Sequence, residues 1–287
     1  MRRAWTFSDG VMIAALVGLA LVATWSVWQD IFALALRSDE SSYILLAPGV
    51  ALWLAWLRRE RLRFCHPRAT PAFVLVLLAG WGFMAIGQER SVDLARDFGA
   101  LMIVLGSVFL IAGPSLLLRF AAAWSALLFV VPVPGRIRHL IAVPLQQVSA
   151  EATRAVLELF AVPIERHGNL LVINGAEVAI AEACNGMRMV AAMALIAFAF
   201  VFSFPMRVWA RVLILALSPL VAILVNVIRL VPTTLLYGSA SADTANTFHD
   251  LAGWAVLGVA IGVMWLFLAL MRYLELPVTA YGVREEA

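Results

Sequence analysis

Three residues in the second half of the chain are of types that together could break and remake an acyl bond: Cys184, Arg229 and His249. Cys184 stands in Glu182-Ala-Cys-Asn185-Gly-Met-Arg188, where a long apolar run opens. A helix N-terminus and a cation one turn on, at Arg188, both draw a thiol toward the nucleophilic thiolate. His249, in Phe248-His-Asp250-Leu-Ala-Gly253-Trp254, opens another apolar run. An imidazole of ordinary pKa, ~6.5, can take a proton from the thiol and return it to a leaving amine. Thr247 and Asp250 are spaced to cap a helix beginning there, as a capping-box-like pair. Arg229 lies several residues inside a third apolar run, where a guanidinium costs at least ~2.5–3.5 kcal/mol on insertion scales and is by default a functional candidate. It can donate to a developing oxyanion or to a substrate carboxylate, and Asn226, three residues earlier on the same face, is a second donor.

Each of these residues taken alone also has a plainer reading. A free cysteine is commonly a small buried hydrophobe, an interfacial histidine can simply sit beside Trp254, and an arginine near a span's end can snorkel to the headgroups. His66, His139 and His167 fall in loops and have weaker cases. Cys65 and Cys184 are the only cysteines, too few and too far apart for a disulfide framework, so any that matters acts as a thiol. No spacing resembles a zinc pattern and no phosphate-cradling glycine loop is present, so neither a metal nor another cofactor is expected.

The elements that must position these residues are membrane helices. The 287 residues are 63% hydrophobic and 14% charged, with mean hydropathy +0.94, well beyond the ~45–50% apolar share of soluble domains. All 21 basic residues are arginine, and a net charge of +3 calls for no nucleic-acid partner. Spans of roughly 20 apolar residues fit about eight windows, near 11–29, 43–57, 71–87, 98–113, 119–134, 185–204, 208–236 and 249–271. Arg2 and Arg3 lead into the first without a small-residue cleavage site, so it reads as a retained span. The arginine-rich loop Arg58–Arg68 marks the cytoplasmic side. Alternation from it puts both termini inside and the openings of the sixth and eighth windows outside, level with the outer third of the seventh.

Between the fifth and sixth windows, 135–183 is not lipid-like. Leu145, Val148, Ala152, Val156 and Leu159 recur at spacings of three and four against polar residues, an amphipathic helix suited to the membrane surface. Two short β-prone runs then flank Asn174-Gly175, a hairpin signal. The expectation is an all-α polytopic membrane protein of about eight transmembrane helices, with a small extracytoplasmic amphipathic helix and β-hairpin before the sixth. The whole of 1–287 reads as a single integral membrane domain, with 135–183 an outer insert and 184–271 a three-helix catalytic core.

The three polar blocks resemble those of the exosortase/archaeosortase family, membrane-embedded protein-sorting enzymes. Its signatures are Ala-Cys-Ser-Gly-aliphatic-Arg, Asn-x-x-Arg and Phe-His-x-x-x-Gly-Trp. Here Ala183-Cys184-Asn185-Gly186-Met187-Arg188, Asn226-Val-Ile-Arg229 and Phe248-His249-Asp-Leu-Ala-Gly253-Trp254 follow in that order, with departures at Asn185 and Met187. Pro144-Leu-Gln146, Val162-Pro163, Arg166-x-Gly168-Asn169 and the run into Glu182 are similar to the family as well. The resemblance implies a cysteine peptidase or transpeptidase at the outer face of a bacterial inner membrane. Cys184 would be the nucleophile, Arg229 the transition-state or substrate-carboxylate partner and His249 the general acid/base, with Arg188, Asn226, Glu182, Asn185 and Asp250 in support. It further implies clients that are secreted proteins with a C-terminal transmembrane sorting signal of the PEP-CTERM kind, cleaved through a thioester. Two other readings stay open: an intramembrane cysteine protease using only water, and a non-catalytic transporter or scaffold of envelope export.

Overall fold

The computed structural model describes residues 5–168, 170–179 and 186–274. The chain divides into two compact units, 1–135 and 136–287. The first contains α1 (Phe7–Ala23), α2 (Trp25–Arg37), α3 (Leu46–Leu57), α4 (Phe73–Glu89), α5 (Asp93–Ala112), α6 (Pro114–Arg119) and α7 (Ala121–Ala126). Tight 3-10 turns precede α3 and follow both α3 and α7.

The first hydropathy window is not one straight span. Between α1 and α2 the axis bends by 75° at Thr24, whose hydroxyl donates to the Ala20 carbonyl at 2.7 Å and accepts from the Trp28 indole at 2.9 Å. Such side-chain back-bonding competes with the helical ladder and is a recognised cause of bends. The fifth window also differs from expectation. Its helix stops at Val130, and the Val131-Pro-Val-Pro stretch separates it from the next helix, because proline can neither donate its missing N–H nor let the preceding residue stay helical. Three described helices are long and apolar enough to cross a membrane, or up to five if each bent pair counts as one, and Ser41–Leu57, Phe73–Glu89 and Val190–Ser203 are shorter apolar helices.

Helices α4 and α5 form the tightest pair in this unit. A Cβ on Gly99 would stand 2.5 Å from the Gly80 carbonyl oxygen and one on Gly80 2.9 Å from that of Gly99, so the backbones touch where membrane helices favour small residues. At the start of α5, Arg96 bonds Asp97 at 3.0 Å and Asp30 of α2 at 3.2 Å, tying the two helices together. Cys65 is buried, its thiol donating to the Arg61 carbonyl at 3.4 Å and the Ser115 carbonyl at 3.8 Å. Burial pushes that thiol's pKa up, outweighing the pull of the Arg119 guanidinium.

The second unit opens with α8 (Gly135–Leu159), a longer helix than the amphipathic pattern alone marks. It continues with β1 (Glu165–His167), β2 (Leu170–Ile173), β3 (Ala176–Ala179), α9 (Gly186–Ser203), α10 (Val208–Ser239) and α11 (Ala242–Tyr273). The strands form one antiparallel sheet in chain order, with Glu165 opposite Val172 and Leu171 opposite Val178. Asn174 (φ 50°) and Gly175 (φ 80°) both take the left-handed conformation at the β2–β3 turn, as a type I′ turn requires. Strand β1 is a third member beyond the expected hairpin. It is held to α8 by Arg166, which bonds Glu151 at 2.6 Å, while Arg154 bonds Glu151 at 2.6 Å and Glu158 at 2.9 Å. Ala150 of α8, Leu171 and Ile173 of β2, and Leu230 of α10 form one buried cluster. Asn174 Nδ2 donates to the Gly238 carbonyl at 3.1 Å, fixing the turn to the end of α10.

Helices α9, α10 and α11 share an apolar core that includes Met193, Ala197, Val201, Ile214, Val225, Ala260 and Met264. Short connections, 204–207 and 240–241, make the three alternate in direction. The start of α11 corrects the sequence reading. Its N-cap is Ser241, whose hydroxyl accepts from the Thr244 amide at 3.3 Å, while Thr247 donates to the Asp243 carbonyl at 2.8 Å. The helix therefore begins well before Thr247, and His249 lies about two turns inside it.

Replacing Gly99 with leucine is expected to destabilise the first unit by about 1–3 kcal/mol, read as a lower melting temperature in detergent; an unchanged melt would contradict the close α4–α5 contact. The hydrogen bonds from Arg154 and then Arg166 hold the Glu151 carboxyl below its ordinary range. Its contribution to the α8–β1 tie is full above the unfolded carboxyl's pKa and lost as pH falls through the lower folded value. Amide protection factors for 170–173 should thus be smaller at roughly pH 3 than at about pH 6, and Glu151→Gln should give the smaller values at both.

Candidate active site

Arg229 lies about 15 Å before the end of α10 and Gly253 about 17 Å past the start of α11, at ~1.5 Å rise per residue. In the antiparallel pair these positions meet. A Cβ on Gly253 would stand 3.6 Å from Arg229 Nη2 and 3.9 Å from its Cζ, so the guanidinium rests directly against α11. Gly253 is four residues after His249, on the same helical face one turn further along. The structure thus brings Arg229 against α11 one turn past the backbone position of His249.

From Arg229 back to Val208, and from Gly253 on to Tyr273, each helix runs about 30 Å, the thickness of a hydrocarbon core. Helix α9, starting at Gly186, covers about 26 Å to its far end. Beyond Arg229, the end of α10 meets the sheet. A Cβ on Gly238 would lie 2.9 Å from Ile173 Cγ2. The sheet and α8 therefore stand on the same end of the three-helix unit as Arg229.

Asn226, one turn before Arg229, is buried at 6% exposure. It lines a cavity of about 20 Å³ together with Leu145, Gln146 and Ser149 of α8, Val190 of α9, and Ala222 and Ile223 of α10. Leu230, next to Arg229, is fully buried, and the Thr233 hydroxyl donates to the Arg229 carbonyl at 2.7 Å. Arg229 is thus carried by a turn packed on several sides.

Cys184, Glu182 and Asn185 lie outside the described residues, Cys184 two positions before the start of α9 in sequence. For Arg188, His249 and Asp250 the described part is the helical backbone: Arg188 in the first turn of α9, His249 and Asp250 in α11. Among the described residues, no three His, Cys, Asp or Glu side chains gather as a metal site. One feature was not singled out by reading motifs: Ser149 lines the cavity together with Asn226, and nothing in its spacing within the amphipathic pattern distinguishes it. Gly253 has a steric reason to be small, the adjacent guanidinium, which only the pairing of α10 with α11 reveals.

Residues 28–266 match the family model described as Transmembrane exosortase (Exosortase_EpsH). No curated protein and no solved structure matches the chain.

The contact at Gly253 makes a graded expectation. Alanine places its Cβ at ordinary van der Waals distance from Arg229 and should leave the melting temperature nearly unchanged. Leucine must displace the guanidinium, with a loss of about 1–3 kcal/mol. Equal melts for the two variants would contradict the packing of Arg229 on α11.

Proposed function

The chain belongs to the transmembrane exosortase family, and on that premise we propose that it is a cysteine transpeptidase that cleaves C-terminal sorting signals of exported, membrane-tethered proteins. The observation that carries the reading is the Arg229 guanidinium lying against Gly253, one helical turn from His249 and about one hydrocarbon thickness from the far ends of α10 and α11. A cation held at such a boundary is poised for a carbonyl whose chain emerges from the bilayer.

The chemistry follows as acyl transfer. The Cys184 thiolate adds to the scissile carbonyl carbon, its proton having passed to His249. Arg229, with Asn226 on the same face, donates to the oxyanion that forms. As the tetrahedral centre collapses, the C–N bond breaks and the imidazolium returns its proton to the leaving amine. The client's N-terminal part is left as a thioester on Cys184. His249 then deprotonates an acceptor, whose attack releases the thiol. Arg188, four residues after Cys184 in sequence, is assigned the role of favouring the thiolate and of reading an acidic residue of the signal. Glu182, Asn185 and Asp250 flank the nucleophile and the base in sequence and complete the proposed site.

The proposed setting is a bacterial inner membrane, with the site on the outer side and both termini in the cytoplasm. All eight apolar segments cross: the three long helices, the two bent pairs at their apolar parts, and the three shorter helices. The family match runs across residue 135, which supports treating 1–287 as one functional domain. The clients are secreted proteins with a C-terminal transmembrane signal, and membrane lipids surround the spans.

The test is client processing in cells, scored by the size and membrane attachment of a protein carrying such a signal. Cys184→Ala and Cys184→Ser should abolish processing while the enzyme stays stably inserted. Cys65→Ala, which removes a buried thiol held against two carbonyls, should process normally. Processing that survives loss of Cys184 would overturn the reading.

A further inference from the structure

One end of the first unit gathers more cations than carboxylates. Residues 58–68, between α3 and α4, carry five arginines and one acidic residue, Glu60, and Arg119 at the end of α6 comes to the same place. The other acid at this end is Asp9 of α1, buried and already bonded to Thr6. Ser115 of α6 ties the two arginine-bearing segments together: its hydroxyl donates to the His66 carbonyl at 3.1 Å and accepts from the His66 amide at 3.3 Å. Phe64 takes a guanidinium from each segment, with Arg63 Cζ 4.9 Å and Arg119 Cζ 5.4 Å from its ring centroid. Stacking of this kind uses the flat face of a guanidinium and leaves the N–H fork at its rim for an anion. Both arginines are exposed. Among the described residues, no ion pair links Arg61, Arg63, Arg68 or Arg119 to a carboxylate, so their counter-charge comes from outside.

Apolar helices stop at this same end. Helix α3 finishes at Leu57 and α5 at Ala112. The Thr70 amide, just before α4, donates to the Leu110 carbonyl of α5 at 3.0 Å, and the Trp5 indole, just before α1, donates to the Cys65 carbonyl at 2.9 Å. Trp56, Leu62, Phe64 and Leu118 stand exposed among the arginines. Apolar side chains interleaved with guanidiniums at the ends of membrane helices match a surface that is part acyl chain and part phosphate.

We propose that Arg63 and Arg119, held on the Phe64 ring, bind the phosphate of an anionic phospholipid, with Leu62 and Leu118 beside its acyl chains. The excess of arginine disfavours a zwitterionic headgroup, whose ammonium it repels. The exposed apolar side chains favour a ligand with acyl chains over a free phosphate. The patch lies wholly in the first unit and does not involve Cys184, so it stands or falls apart from the acyl-transfer chemistry.

The full chain in detergent is titrated with phosphatidylglycerol and with phosphatidylcholine of the same acyl chains, and bound lipid is counted by native mass spectrometry. Wild type should bind phosphatidylglycerol about tenfold or more tightly, since each arginine near an anionic headgroup contributes roughly fivefold. Arg63→Gln with Arg119→Gln should lose most of that preference. Arg37→Gln with Arg90→Gln, an equal loss of charge at the ends of α2 and α4, should keep it. Phe64→Leu keeps every charge but removes the ring, and should weaken phosphatidylglycerol binding about two- to fivefold; it decides the matter where the double variant does not fold. Glycerol phosphate at the concentration of the lipid should not displace it, and displacement would overturn the lipid in favour of a free phosphate. Equal binding of the two lipids by wild type, an undiminished preference in the folded Arg63→Gln, Arg119→Gln variant, or wild-type affinity in Phe64→Leu each overturns the proposal.

Discussion

A guanidinium inside an apolar helix pair is the constraint around which the second unit is built. A charged side chain in an apolar span is costly, and the surrounding residues make that position tenable. Gly253 leaves room for the group against α11. Asn226, one turn away, lines a small pocket together with Gln146 and Ser149 of α8. The two 32-residue helices are longer than a bilayer requires. In the proposed membrane setting, their excess carries Arg229 to the edge of the hydrocarbon, where long side chains reach polar surroundings.

The excess length has a second use. The last turns of α10 are the platform for the sheet, through Gly238 against Ile173 and through the Asn174–Gly238 hydrogen bond. Helix α8 closes the arrangement from another side. Its apolar residue Ala150 joins Leu171, Ile173 and Leu230 in one cluster, and its charged residues Glu151 and Arg154 hold β1 through Arg166. The segment between the fifth and sixth windows is therefore a wall attached at several points to the arginine-bearing helix.

Much of this was legible in the sequence, for physical reasons that differ residue by residue. Apolar runs of full length, such as those of α10 and α11, announce themselves because nothing else tolerates them. Asn174-Gly175 marks its turn because both positions need positive φ. The bend at Thr24 was not legible, since hydropathy averages over a single hydroxyl that bonds backward to Ala20. The start of α11 was misplaced because Thr247 and Asp250 have capping spacing, yet Ser241 caps earlier. Strand β1 was missed because Glu165-Arg-His carries no apolar alternation; it is recruited by Arg166 reaching Glu151, a contact between distant residues. The arginine and histidine blocks could be named from motifs, but their adjacency depends on the register of α10 against α11, which no local pattern encodes.

The central claim is that this boundary site forms an acyl bond to Cys184, and interception of that bond tests it most directly. Purified enzyme and a client with a C-terminal transmembrane signal would be mixed with hydroxylamine, and the products analysed by mass. The account expects a client hydroxamate at the cleavage position, a thioester on the Cys184 peptide when the acceptor is withheld, and neither product with Cys184→Ala. Cleavage that yields only a free carboxyl, with no adduct on Cys184 and no hydroxamate, would contradict it.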